Sequence, residues 1–261
     1  MLGALFGDII GSVYEWNNYK GKDFPLLQPA CRMTDDSVMT AAVASALLLR
    51  GGEDAFDAIL VREMQSLGRK YPRAGYGARF EKWLQTRDPK PYYSFGNGSG
   101  MRVSPVAWAA HSLEECLALG EASARVTHDH PDGIAGARVV AGAVYLARTG
   151  AGKEAVRSFV EGYYPLNFTL DQIRADYSFD VSCAGSVPQA MEAFLESESF
   201  EDAIRNAISI GGDSDTIACM TGAVAEAFYG VPDQIKAQVL PFVTGEVRAI
   251  FDRFSERYLG G

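Results

Sequence analysis

The sequence is poor in the residues that mark several large functional classes. It has three histidines and four cysteines in 261 residues. None of the cysteines (Cys31, Cys116, Cys183, Cys219) forms a C-x-x-C pair. Neither a zinc site nor a disulfide framework is indicated, and reduced, mostly buried thiols in a cytoplasmic protein are expected. Positive charge is scarce: 24 Lys and Arg stand against 33 Asp and Glu, a formal net charge of -9. That balance argues against an extended nucleic-acid surface and against docking on an anionic membrane, both of which need basic patches. It leaves room for a nucleotide-like ligand in a local pocket. No uninterrupted apolar run reaches about 18 residues, so no membrane span is expected. The apolar start, Met1 to Phe6, lacks a basic region and is interrupted by Asp8, so it does not read as a signal peptide. Repeats, low-complexity stretches and linkers are absent. No pattern sets the oligomeric state, and a monomer is compatible with the sequence.

What is present points to helices. Apolar content of 48% and the length suit one domain spanning 1–261 with a sizeable core. Helical patterns run over 1–16, from Asp36 to about Arg50 with a stop at Gly51-Gly52, and over 53–68, 76–86, 103–110, 113–126 and 131–149. Further helices are expected at 152–162, 186–196, 200–209, 216–229 and 244–258. In the last of these, Val247, Ile250, Phe251, Phe254 and Tyr258 form one stripe. Gly3, Gly7 and Gly11 share a face of the first helix, where another helix could approach closely. The only strand-like alternation is the short run Tyr177, Phe179, Val181, Cys183. The expectation is a single all-α domain with its polar signals in the inter-helix loops.

Two of those signals are acidic helix mouths. Thr34-Asp35-Asp36-Ser37 leads into Val38, Met39, Ala41, Ala42 and Val43, too apolar for a solvated face. Adjacent carboxylates there cost free energy unless a cation is near. The helix dipole offsets only about 1 kcal/mol of that cost. Gly211-Gly212-Asp213-Ser214-Asp215-Thr216 has the same character before Ile217-Ala218. For either motif alone, helix capping by Thr34 or Asp213 explains the pattern equally well. Together they favour a metal site held by Thr34, Asp35, Asp36, Asp213, Asp215 and Thr216, with Mg²⁺ or Mn²⁺ as the hard ions that oxygen ligands select. Two ions about 4 Å apart would share a carboxylate and orient a water. The D-x-D-x-T/V phosphatase motif is a poorer match, because Ile217 holds the fifth position and no apolar strand precedes Asp213.

Three weaker signals accompany them. Gly96-Asn97-Gly98-Ser99-Gly100-Met101-Arg102 precedes a helix, and its backbone N–H groups could cradle a diphosphate, although it lacks the Walker lysine. A flexible turn is the plainer reading. His128 and His130 flank a helix break, one as a ligand contact or both as caps. Glu15 ends the first helix, as a catalytic acid or a surface acid.

Read together, the motifs identify a family. The chain resembles the ADP-ribosylglycohydrolases nearly end to end, through Gly7-Asp8-x-x-Gly11-Ser12-x-x-Glu15, Thr34-Asp35-Asp36-Ser37, Gly96 to Arg102, Thr127-His128, Gly185-Ser186-Val187-Pro188-Gln189-Ala190 and Gly211 to Thr216. The resemblance implies a compact many-helix orthogonal bundle around two metal ions. It puts the ligands at the six residues named above. It sets Asn97, Gly98, Ser99, Gly100 and Met101 against ADP-ribose with His128, and gives Glu15 a gating or catalytic role. Gly100 stands where members often carry Ala, and Asp36-Ser37 replaces Asp-Thr. Tyr92, Tyr93 or Phe95 is the expected adenine neighbour. The implied reaction is metal-dependent hydrolysis of the bond between ribose C1 of ADP-ribose and an acceptor, with Glu15, Asp35 or Asp36 moving the proton. Alternatives are a non-catalytic ADP-ribose-binding module and a two-metal phosphohydrolase.

Overall fold

The computed structural model describes residues 1–51 and 55–259. In chain order its helices are α1 (Leu2–Gly11), α2 (Asp35–Leu49), α3 (Phe56–Lys70), α4 (Ala78–Gln85), α5 (Gly98–Met101), α6 (Ser104–Ala109), α7 (Leu113–Arg125), α8 (Pro131–Arg148), α9 (Lys153–Glu161), α10 (Leu170–Ile173), α11 (Cys183–Leu195), α12 (Phe200–Ser209), α13 (Ser214–Tyr229), α14 (Asp233–Val239) and α15 (Gly245–Tyr258), with a 3₁₀ turn at Leu240–Phe242. Among the described residues there is no named strand. No helix among the described residues is long and apolar enough to cross a membrane, and the four cysteines are buried free thiols.

Side-chain chemistry decides which helices lie inside. α2 is buried from Asp36 to Leu47 on all faces, and α13 from Ser214 to Ala225. Both are built from Ala, Val, Ser and Thr, small enough to be surrounded by other helices. α3, α12 and α15 are amphipathic and cover this centre, each with one apolar stripe, and α9 covers α8 and α11 in the same way. On α15 the stripe is the expected one: Val247, Ile250, Phe251 and Phe254 are buried, and the Tyr258 hydroxyl donates to the Leu47 carbonyl at 3.2 Å.

The glycine face of α1 meets α13 along its length, antiparallel. A Cβ at Gly3 would lie 2.1 Å from the Gly222 carbonyl oxygen, and one at Gly7 would lie 1.9 Å from that of Ala218. At Gly11 a Cβ would stand 2.5 Å from the Asp215 Cα. The backbones touch, and only glycine permits it. This contact brings the end of α1 beside the start of α13.

Several expectations change. The first helix stops at Gly11 rather than 16, because the Ser12 hydroxyl bonds back to the Ile9 carbonyl at 2.8 Å and the chain enters turns. Glu15 and Trp16 therefore sit on a turn. The alternation Tyr177 to Cys183 is not a strand: a single bridge pairs Gly96 with Ser182, and Phe179 and Val181 are exposed. α11 begins at Cys183, three residues before the expected 186, because Ser182 caps it through the Gly185 N–H. Half of the glycine loop is helical, as α5. α10 and α14 were not anticipated. In the 53–68 expectation, residues 53 and 54 lie outside the described residues, as does Gly52 of the Gly51-Gly52 stop; α3 is described from Phe56.

Candidate active site

Three helix ends converge. Asp8 on α1, Asp35 and Asp36 at the mouth of α2, and Asp213 and Asp215 at the mouth of α13 share one region, with Glu15 on the turn after α1. Carboxylate oxygens of Asp8, Asp36 and Asp215 lie within 4.8 Å of one another, and so do those of Glu15, Asp213 and Asp215. Asp215 belongs to both groups. The two motifs expected to meet therefore do.

Asp8 lies in the Gly7-Asp8-x-x-Gly11-Ser12-x-x-Glu15 motif, and no role for it is evident from sequence. The structure gives it one. Its carboxylate accepts the Thr34 N–H at 3.0 Å, the Thr34 hydroxyl at 2.6 Å, the Ser37 N–H at 3.0 Å and the Ser37 hydroxyl. Three of these donors converge on Oδ2 and one reaches Oδ1. Asp8 thus caps α2 from another helix. Thr34 caps it locally, accepting the Asp36 N–H at 3.3 Å.

Asp36 is different. Its Oδ2 accepts the hydroxyls of Thr34 and Thr216, each at 3.2 Å. Its Oδ1 is buried and has no partner. A buried acceptor left unpaired costs about 1–3 kcal/mol. Burial pushes Asp36 well above the carboxylate range, and the Asp8 charge adds to the shift. Burial does the same to Asp215, with Asp213 next. Asp35 is pushed up to about 8 by burial and then by Asp8. Glu15 rises to about 7 through burial and Asp213, although Arg32 pulls it down. An all-oxygen donor set, with one orphaned oxygen and acids whose pKa values are raised by burial and by one another, fits a hard divalent cation.

These acids line the end of a cleft of about 670 Å³. Its lining also includes Tyr76, Phe80, Tyr92, Val181 and the exposed Trp16–Phe179 stack, with centroids 5.4 Å apart. Tyr92 and Phe95 line the cleft; Tyr93 instead packs edge-on against His130 at 4.6 Å.

The glycine segment borders the acids. The Asn97 amide donates to Asp213 Oδ2 at 2.7 Å, tying the two together. Gly98 and Met101 line the cleft with Asn97. Ser99 and Gly100 are buried and do not line it; the Ser99 hydroxyl donates to the Gly133 carbonyl at 2.6 Å. What Ser99 offers is its backbone N–H, which at the first turn of α5 has no intrahelical acceptor.

His128 lines the cleft and His130 does not. His130 caps α8, accepting the Asp132 N–H at 3.1 Å. His128 ends a buried chain that begins at Arg102. The Arg102 guanidinium, 1% exposed, donates to the Gly98 and Ser123 carbonyls and to Thr127 Oγ1 at 2.8 Å. Thr127 Oγ1 lies 2.7 Å from His128 Nδ1. The Thr127 hydroxyl accepts from Arg102 and has a proton that it can give to Nδ1, in the tautomer that leaves that nitrogen bare. In that tautomer the neutral ring carries its proton on Nε2, the nitrogen nearest the glycine segment. Burial, then the Arg102 charge, holds its pKa well below the usual value, and burial pulls Arg102 itself down to about 10. A buried arginine two residues past Gly100 was the available sequence signal for this chain.

An all-α body that directs acidic helix mouths and a short glycine-rich helix into one aromatic-walled cleft is the architecture of an enzyme. The comparisons say which kind. A family model described as ADP-ribosylglycohydrolase matches residues 1–259. Human ADP-ribosylhydrolase ARH3 is 26% identical over 313 residues, covering 90% of this chain and 85% of that protein. ADP-ribosylarginine hydrolase Tri1 of Pseudomonas putida (strain GB-1) is 28% identical over 265 residues, covering 88% of this chain and 70% of that protein. A solved structure described as an ADP-ribosylglycohydrolase-related protein complex superposes with a TM-score of 0.69 at 25% identity, covering 95% of this chain and 93% of that one. The chain belongs to the ADP-ribosylglycohydrolase family of hydrolases.

Proposed function

We propose that the protein is a divalent-metal-dependent hydrolase that frees ADP-ribose by cleaving the bond between ribose C1 and an acceptor. The orphaned Asp36 Oδ1, in the acid cluster that shares Asp215 with the Glu15 and Asp213 cluster, carries this reading. Asp35, Asp36, Asp213 and Asp215 would hold two Mg²⁺ or Mn²⁺ ions, with the Thr34 and Thr216 hydroxyls beside them and Asp8 bracing the set. Bound there, the ions would supply positive charge at the ribose hydroxyls and a more acidic water.

The chain's own residues do the rest. The first N–H groups of α5 and the Nε2–H of His128 donate to the diphosphate and the near ribose, fixing the sugar over the acids. Glu15 is the outermost of the acids and the one beside a cation, Arg32. It exchanges the proton with water or with the departing acceptor. The aromatic walls, Tyr92 among them, hold the adenine and exclude solvent.

Defined ADP-ribosyl conjugates, assayed with Mg²⁺, Mn²⁺ or chelator, test the reading. Intact ADP-ribose should appear, and Asp36→Asn should lower its release at least about a hundredfold. Release of AMP or phosphate instead would mark a phosphohydrolase. Binding of ADP-ribose with no release from any conjugate would mark a binding module.

A further inference from the structure

Beside the cleft lies a second depression, of about 590 Å³. Its floor is apolar and includes Met33, Val38, Tyr71 and Phe242. Arg32 and Arg73 also line it, and both are exposed. Neither guanidinium has an ion pair or a side-chain hydrogen bond among the described residues. In a chain of net charge -9, two uncommitted arginines beside an apolar hollow make a local site for anions.

The depression adjoins the acidic end of the cleft. The Asp35 N–H donates to the Ala74 carbonyl at 2.9 Å. Ala74 lines the depression, whereas Asp35 and Gly75 line the cleft. One layer of backbone separates the two. Arg32 is close enough to Glu15 to favour its ionised form. A chain leaving the cleft beside Glu15 and Asp35 passes Arg32 and enters the hollow within a few residues at about 3.3 Å each.

We propose that this depression docks the acceptor: an acidic peptide segment flanking the ADP-ribosylated side chain. This rests on the ADP-ribosyl hydrolase reading. An apolar side chain of the peptide fills the floor between Met33 and Phe242, and neighbouring carboxylates meet Arg32 and Arg73. The apolar floor distinguishes this site from a nucleic-acid groove, which would present cations along a backbone track. The two arginines disfavour acceptors with basic flanks.

The test uses peptides carrying one ADP-ribosylated residue of fixed linkage, with acidic, neutral or basic flanks, and a small ADP-ribosyl conjugate without peptide. Two readouts run in parallel: kcat/KM for ADP-ribose release and binding by fluorescence anisotropy. Acidic flanks should be favoured over basic ones by about fivefold or more at low salt, mainly through KM. Arg73→Glu should abolish or reverse that preference while leaving the small conjugate unchanged. The double variant Arg32→Glu/Arg73→Glu should reverse the binding preference. Turnover that ignores the flanks, or a preference that survives both charge reversals, overturns the groove and leaves the hydrolase reading intact. A flank preference in binding without release from any conjugate supports the groove and overturns the hydrolase reading. A preference for a phosphorylated oligonucleotide end over every acidic peptide overturns the peptide assignment.

Discussion

Gly7→Ala is the sharpest perturbation the packing offers, because one methyl group acts on both the core and the cleft. A Cβ at Gly7 would sit 1.9 Å from the Ala218 carbonyl oxygen and 2.7 Å from the Cys219 nitrogen. Carbon and oxygen ordinarily meet no closer than about 3.3 Å, so α1 must move off α13 by more than 1 Å. The blocking atoms are backbone inside a fully buried helix and cannot swing aside. Overpacking of this kind costs about 1–3 kcal/mol, or more when backbone blocks backbone. Alanine's better helix propensity returns about 1 kcal/mol. A net loss of about 2 kcal/mol lowers Tm by about 4–8 °C in a chain of this size. Asp8 follows Gly7 directly, and Asp215 lies against Gly11. A shift of that size enlarges the 4.8 Å carboxylate cluster and should weaken the Tm increase caused by Mn²⁺. Gly120→Ala on α7 is the matched control. Its Cβ would meet the nearest atom, Ala141 Cβ, at 3.4 Å, an ordinary contact, so Tm should hold or rise. Melting curves with chelator and with Mn²⁺ decide the matter. A Gly7→Ala protein that melts within a degree of the parent and keeps its metal-induced shift would refute the reasoning.

Three further outcomes are expected. Adding Mg²⁺ or Mn²⁺ to chelator-treated protein should raise Tm, and Asp215→Asn should remove most of that rise; an unchanged rise in the variant would exclude Asp215 as a ligand. Thr127→Val removes the hydroxyl between Arg102 and His128 Nδ1, so ¹⁵N NMR should show His128 losing its single Nε2–H tautomer, with KM for an ADP-ribosyl conjugate rising severalfold. The His128 pKa is depressed in the fold. A depressed value means that the neutral ring stabilises the fold above the unfolded pKa of about 6.5, and that this stability is lost as pH falls below it, at up to about 1.4 kcal/mol per pH unit. Denaturant melts between pH 6.5 and 5 should therefore show a shallower acid loss for His128→Gln than for the parent, and parallel slopes would contradict the buried neutral ring.

The parts legible in the sequence were those where one segment carries its own reason. The run after Asp36 was too apolar to be a surface helix, and α2 is buried from Asp36 to Leu47. The glycine spacing announced a close helix contact, and α13 supplies it. Two acidic helix mouths implied a shared counter-charge, and their carboxylates do meet. The turn after Gly11 was less legible, because Ser12 closes it with a bond to its own helix that periodicity does not register. Tyr177 to Cys183 misled for a related reason. Its alternation is that of an exposed cleft wall, where Phe179 packs on Trp16 from a distant segment.

Asp8 shows why the remainder of the site needed three dimensions. An aspartate inside an apolar helix, next to a glycine, has no local explanation. Its four donors all belong to Thr34 and Ser37, and they reach it only because α1 is held at the mouths of both α2 and α13. What holds it there is the backbone contact through Gly3, Gly7 and Gly11. The glycines set the distance between helices, the distance lets Asp8 brace Thr34 and Ser37, and the bracing fixes the mouth of α2 that carries Asp36. Packing and chemistry at this site are therefore one constraint. Substitutions along the α1–α13 seam should change metal affinity and stability together, whereas substitutions on the outer stripe of α15 should change stability alone.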